Sequence, residues 1–234
     1  MPIRARCTIN PLTTAELAEA KDHYTTYGLV TLPRMTDVTE LRPTLREIHD
    51  KVGHLAHRAA EPHRVDASGA LLGGRRLHRL DPDLHELGAQ IANEFETSGL
   101  IAWADQFAAA AIPTLNEITG YQLTYDRPFM LVYREGDYIA AHGEKYDGHR
   151  VNVQIAIPYD TVSCMRVLKD GFLEPQYDND GSVRLLGARM WHEVPALVRL
   201  SPDADPLRLV LTLRMLGAPT EPGRDYSGQM VQSR

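Results

Sequence analysis

His142-Gly143-Glu144, a second histidine at His192 and an arginine at Arg208 are the residues of this chain whose types and order could do chemistry together. His142 and Glu144 are two apart, so in an extended chain their side chains point the same way and can reach one ion. Two imidazoles and one carboxylate can occupy one face of an octahedral iron(II) and leave the other positions open for oxygen and a co-substrate. Arg208 opens an apolar stretch, and its guanidinium can clamp a carboxylate through a two-point fork.

The elements around these residues change character near Tyr121. Upstream, the composition is mainly helical. Thr13 is an N-cap candidate for residues 15–24, and residues 37–60, 84–95 and 99–120 read as further helices, the last interrupted or bent near Pro113. Residues 28–33 read as a short strand ended by proline. Residues 61–74, with Pro62, Gly69 and Gly73-Gly74, read as an exposed loop or lid. Downstream, short β-branched runs alternate with turn signals such as Glu135-Gly136-Asp137, Asp147-Gly148, Asp170-Gly171 and Asp178-Asn179-Asp180-Gly181. The expected fold class is α+β, with helices packed against one antiparallel β unit. A single domain over residues 1–234 is expected, with a mainly helical part to residue 120, a β core over 121–217 and a tail over 218–234.

Two strands alternate with period two. Arg150, Asn152 and Gln154 share one face, opposite Val151, Val153, Ile155 and Ile157. Arg208, Thr212 and Arg214 share another, opposite Leu207, Leu209, Leu211 and Leu213. Either the polar faces meet solvent, or they line a pocket inside a barrel whose apolar faces pack on the helices. The histidine motif beside them favours the pocket.

Composition excludes several classes. The chain has 234 residues, 43% of them hydrophobic and 24% charged, which is enough to bury a core. A net charge of −6 argues against a nucleic-acid partner. No stretch approaches the roughly 20 apolar residues that span a bilayer, and no signal-peptide-like run follows Met1. The two cysteines, Cys7 and Cys164, do not make a secreted disulfide scaffold. A cytoplasmic protein with a small-molecule substrate is the expectation; the reading allows a homodimer.

Tyr133, Gly136-Asp137, His142-Gly143-Glu144, His192-Glu193-Val194 and Arg208, in that order, resemble the pattern of the iron(II)- and 2-oxoglutarate-dependent oxygenases. The likeness covers residues 121–216 and leaves the helical first half unspecified. It implies a double-stranded β-helix, a distorted jelly roll of cupin-like shape. It also implies iron(II) held by His142, Glu144 and His192, 2-oxoglutarate as co-substrate with its far carboxylate on Arg208, and molecular oxygen. Tyr133 and Asn152 are further candidates for holding 2-oxoglutarate. The expected outcome is hydroxylation of a C–H bond, with desaturation or cyclisation as variants, on a small polar molecule such as a free amino acid or a natural-product intermediate. Glu144 fills the position that halogenating members leave open, which argues against halogenation. One departure is that Arg208 lies sixteen positions beyond His192, farther than in many members. The turn-rich residues 199–206 can absorb the excess.

Substrate candidates are Arg75, Arg76, Asp126, Tyr146, Trp191 and Arg214, with Asp147 and His149 beside them, since mixed charges and aromatic rings suit a zwitterion. For each, a surface ion pair or packing role is the competing reading, and Trp191 reads as core. His54 and His57, at helical spacing, read as a solvated helix face. Two other functions stay open: a cupin-like metal dioxygenase that does not use 2-oxoglutarate, and a non-catalytic binding module.

Overall fold

The computed structural model describes residues 7–62, 64–65, 71–84, 86–143, 150–179, 181–187 and 191–219. In chain order the elements are α1 (Thr14–Tyr27), β1 (Leu29–Leu32), α2 (Leu41–Val52), β2 (His57–Glu61), β3 (Arg64–Val65), β4 (Leu71–Leu72) and β5 (Arg75–Leu80). There follow α3 (Gly88–Thr97), α4 (Leu100–Thr119), β6 (Tyr121–Arg134), β7 (Tyr138–Gly143) and β8 (Arg150–Tyr159). The chain closes with β9 (Cys164–Lys169), β10 (Phe172–Tyr177), β11 (Val183–Leu186), β12 (Trp191–Val194) and β13 (Leu207–Pro219).

Local chemistry sets the helix ends. Thr13 and Glu16 form a reciprocal capping box at the start of α1, with Thr13 N donating to Glu16 Oε2 at 2.7 Å. Gly28 ends the helix in the left-handed region, its N–H returning to Tyr24 O at 2.7 Å, and the chain passes directly into β1. Leu41, Leu45, Ile48 and Val52 repeat at helical spacing along α2 and are all buried. The longest helix, α4, contains Pro113 yet continues to Thr119.

The strands form an antiparallel sheet in the order β1-β11-β8-β13-β6-β5-β7-β12-β9-β10. From β6 onward the chain passes between two halves of this sheet. β6, β8, β11 and β13 lie together, as do β7, β9, β10 and β12, which is the winding of a double-stranded β-helix. β5 joins the halves, pairing with β6 through His78–Leu80 and with β7 through Arg75 and Arg76. Period-two alternation then divides the interior. Val151, Val153, Ile155, Ile157, Leu207, Leu209, Leu211 and Leu213 pack into one core with the four helices. On the opposite side of the same strands, Ala156 and Val210 join Leu77, Tyr133, Met165, Val167, Leu186 and Val194 in a second cluster inside the β-helix. The polar residues between them face into that cup, as the pocket reading required.

The structure departs from the sequence reading in the first half. Residues 37–60 do not form one helix. α2 stops at Val52, a 3-10 turn follows over Gly53–Leu55, and β2 pairs with β5 from His57 to Glu61. Strand pairing, a tertiary contact, overrides helical composition here. His54 therefore sits in the turn and His57 opens a strand, so their spacing is not helical. The expected loop at 61–74 contains the short pair β3–β4, and Gly73 presses its backbone against β7, where a Cβ would meet Ala141 O. Residues 220–234, most of the expected tail, lie outside the described residues.

Leu211 is fully buried between β13 and the helices. Leu211→Ala is expected to cost about 2–5 kcal/mol of stability, measured by denaturant unfolding; an unchanged midpoint would contradict this packing.

Candidate active site

The turn between β6 and β7 fixes where His142 falls. Gly136 adopts a positive φ of 74°, and a Cβ there would strike the Arg76 guanidinium, so the position needs glycine. The buried Asp137 carboxylate accepts from Arg134 N at 2.9 Å, from Arg76 Nε at 3.1 Å and faces His78 Nδ1 at 3.3 Å. Burial, then the neighbouring Arg134, holds the His78 imidazole below its usual pKa. Backbone bonds from Gly136 N to Leu197 O at 2.8 Å and from Leu197 N to Asp137 O at 3.0 Å tie the turn to the segment after β12.

With that end fastened, β7 and β12 pair so that His142 and His192 are direct cross-strand partners. Their rings lie 4.4 Å apart between centroids and are tilted by 51°. His142 Nδ1 meets Ala140 O at 2.9 Å, so it carries the proton and leaves Nε2 as the lone-pair donor for a metal. His192 is buried, and β12 bulges just after it. Glu144, the third ligand of the sequence pattern, lies outside the described residues, as do Tyr146, Asp147 and His149. Among the described residues, no other histidine, cysteine or carboxylate completes a metal site with the two imidazoles.

A cavity of about 600 Å³ opens beside His142. Leu77, Phe129, Leu131 and Ile139 supply apolar wall, while Arg75, Arg79, Asn152 and Gln154 supply polar groups. Arg75 is ion-paired with Glu61 at this wall. Arg214, opposite the buried Asn152, donates to Asp126 Oδ2 at 2.6 Å. Arg76 is engaged by Asp137. Trp191 is 42% exposed, contrary to the core role that its apolar character suggested. It is the strand position beside His192, and alternation turns it away from the interior.

At the far end of β13, Arg208 and Tyr133 are cross-strand partners, with the guanidinium carbon 4.9 Å from the ring centre. Both are fully buried and line a cavity of about 150 Å³ with Ser163 and Cys164. Arg208 already has an internal carboxylate: its Nε donates to Asp178 Oδ2 at 2.7 Å and its Nη2 to Oδ1 at 3.3 Å. Arg184 donates to the same carboxylate from Nη1 and Nη2, both at 3.2 Å, and Ser163 Oγ donates at 2.5 Å. Burial alone would raise the Asp178 pKa, but the guanidiniums of Arg208 and Arg184 overcome it and hold the carboxyl well below the usual range. Asp178, Arg184 and Ser163 were not among the sequence candidates. Asp178 sits in a run that reads as a turn, and the available signal was Arg184, a charge set between Val183 and Leu185 in an apolar strand.

No protein-family profile matches the sequence, and a search of curated proteins gives no match. Solved structures do match. A Pseudomonas putida prolyl-4-hydroxylase is 18% identical with a TM-score of 0.53, over 86% of this chain and 98% of that one. The non-heme alpha-ketoglutarate-dependent epimerase SnoN from nogalamycin biosynthesis is 16% identical with a TM-score of 0.56, over 95% and 90%. HygX from Streptomyces hygroscopicus, with nickel and 2-oxoglutarate bound, is 14% identical with a TM-score of 0.53, over 88% and 87%. The fold is that of the iron(II)- and 2-oxoglutarate-dependent oxygenases. In this oxygenase fold the paired histidines stand at one end of the cup and Arg208 at the other. Among the described residues, no helix is long and apolar enough to cross a membrane.

The buried charges give a stability prediction. The Asp178 pKa is lower folded than the unfolded carboxylate value of about 4, so its stabilisation is complete above that pH and is lost as pH falls towards the folded value. Asp178→Asn leaves two buried guanidiniums uncompensated and is expected to cost about 3–5 kcal/mol. It should also flatten the acid limb of stability, measured by denaturant titration between about pH 7 and pH 3.

Proposed function

We propose that this chain is an iron(II)- and 2-oxoglutarate-dependent oxygenase that oxidises a C–H bond of a small polar substrate, with a free amino acid or a natural-product intermediate as the class to screen first. The observation that carries the reading is the cross-strand apposition of His142 and His192, one ring already holding its proton on Nδ1. Neutral imidazole with a carbonyl-bonded Nδ1 is the form that ligates a divalent metal through Nε2. His142, His192 and Glu144 would hold the iron, and Arg208 would receive the far carboxylate of 2-oxoglutarate, with Tyr133 and Asn152 beside its path. When bound, the iron with 2-oxoglutarate and oxygen supplies the oxidising power that breaks the C–H bond.

The chain's own contribution is placement. The Ala140 carbonyl fixes the His142 ring, and Asp137 fixes the turn that positions its strand. Leu77, Leu131 and Ile139 keep water from one side of the cavity, while Asn152 and Gln154 offer amides to orient a polar substrate. Arg75, Arg214 and Asp126 give the substrate ionic partners nearby, and Arg76 and Trp191 stand farther from this role, through the Asp137 bond and outward exposure. A cytoplasmic setting accords with the composition.

One observation favours a second reading. Arg208 already has the Asp178 carboxylate as its partner, so it does not require a co-substrate carboxylate, as a metal dioxygenase without 2-oxoglutarate would allow. Anaerobic titration of iron(II) and 2-oxoglutarate separates the two, since the second reading expects metal binding without co-substrate binding. For the first reading, His142→Ala and Glu144→Ala should abolish 2-oxoglutarate-dependent succinate release and weaken iron(II) binding by about 10- to 100-fold or more, with the thermal unfolding midpoint retained. Full succinate release by either variant would remove that residue from the ligand set.

A further inference from the structure

The outer face of β9, β10 and β12 points away from the cup. Met165 and Val167 of β9 and Val194 of β12 belong to the inner cluster. Alternation therefore turns Cys164, Arg166 and Leu168 outward on β9, and Trp191 and Glu193 outward on β12. β10 lies beside them, with Leu173 opposite Leu168, Pro175 opposite Arg166 and Tyr177 opposite Cys164. On the other side of β9, Glu193 pairs with Arg166, and the same register carries Trp191 to Leu168. One row across the three strands is thus Leu173, Leu168 and Trp191. The next is Pro175, Arg166 and Glu193, whose two charges form an ion pair.

The apolar members of this face stand open. Leu168 and Trp191 are each 42% exposed, Leu173 40% and Tyr177 55%. They offer on the order of 400 Å² of side-chain surface, the size of the largest apolar patch on a typical monomer. A standard interface buries about 800 Å² per partner, a little over half of it apolar, so these four supply most of that part.

Charge and backbone select what covers it. Pro175 stands within β10, the last strand of the sheet, and has no N–H to give an added strand, so the face rather than the edge is the contact. Arg166 and Glu193 are the only charges among the outward residues of these strands, and they cancel. A membrane surface or a nucleic acid would call for excess positive charge, which this face lacks in a chain of net charge −6. Around a two-fold axis, by contrast, a neutral Arg–Glu pair is its own complement.

We propose that this face joins two copies of the chain in a two-fold dimer. Trp191, Leu168 and Leu173 pack across the axis, and Arg166 of each subunit pairs with Glu193 of the partner subunit. The contact braces from outside the strand whose inner face carries His192. It is independent of the reaction proposed above.

Sedimentation of the full chain tests this. The wild type should reach twice the 26.2 kDa chain mass. Since Trp103 is buried, a blue shift of emission with rising concentration should report Trp191 alone. Leu168→Asp should weaken the dimer about thirtyfold or more with the unfolding midpoint retained, and Leu173→Lys serves if Leu168→Asp fails to fold. Arg166→Glu and Glu193→Arg should each be monomeric alone, because like charges then meet across the axis. Mixed in equal amounts they should form a heterodimer, since each chain brings the charges that the other lacks. A wild type that sediments as a single chain at about 0.1 mM overturns the proposal, and its binding to phosphatidylcholine vesicles would assign the face to a membrane instead. A dimer untouched by Leu168→Asp and Leu173→Lys, or folded single variants whose mixture stays monomeric, also overturns it. None of these outcomes bears on the oxygenase reading.

Discussion

The pairing of His142 with His192 depends on the register between β7 and β12. A slip of one residue would send His142 to the outer face, because side chains alternate at every position of a strand. The register is pinned at the opposite end, where the Gly136–Asp137 turn and Leu197 exchange backbone bonds and the Asp137 carboxylate gathers Arg134, Arg76 and His78. A buried carboxylate surrounded by donors is stiff, since moving any one of them strips a charge of its partner. The apposition of the two imidazoles is thus secured several residues away, by groups that do not touch either ring.

A second buried carboxylate, Asp178, has a comparable role at the other end of the cup, where it fixes Arg208 and Arg184. Taking three charged groups out of water is expensive, and an apolar filling of the same volume would serve stability as well or better. What the charges provide instead is a fixed guanidinium pair inside a hydrophobic cup. The cup is separated from the main core by single strands: on β13, Leu209 and Leu211 face the helices while Arg208 and Thr212 face inward. Packing of the helices and placement of Arg208 are therefore two faces of one strand.

Much of this was legible in the sequence, for a physical reason. Period-two alternation in residues 150–157 and 207–214 records the two environments on either side of a strand, and the two histidines singled out in the sequence meet as cross-strand partners. The N-cap ahead of residues 15–24 and the turn at Gly136 were equally local signals. What escaped was tertiary. Residues 57–60 carry helical composition but take a strand because β5 offers them an edge to pair with. Asp178 resembles any turn aspartate, and only folding brings it to Arg184 and Arg208.

β5 joins the two halves of the sheet, and its alternation gives it two separate duties. Arg75, Leu77 and Arg79 face the cavity, while Arg76 and His78 grip Asp137 from the other side. The first set can be exchanged to admit a different molecule without disturbing the second, which keeps the histidines in register. A single six-residue strand thus carries a cavity wall on one face and the support of the β6–β7 turn on the other. The shape of that wall can be altered by changing every other residue.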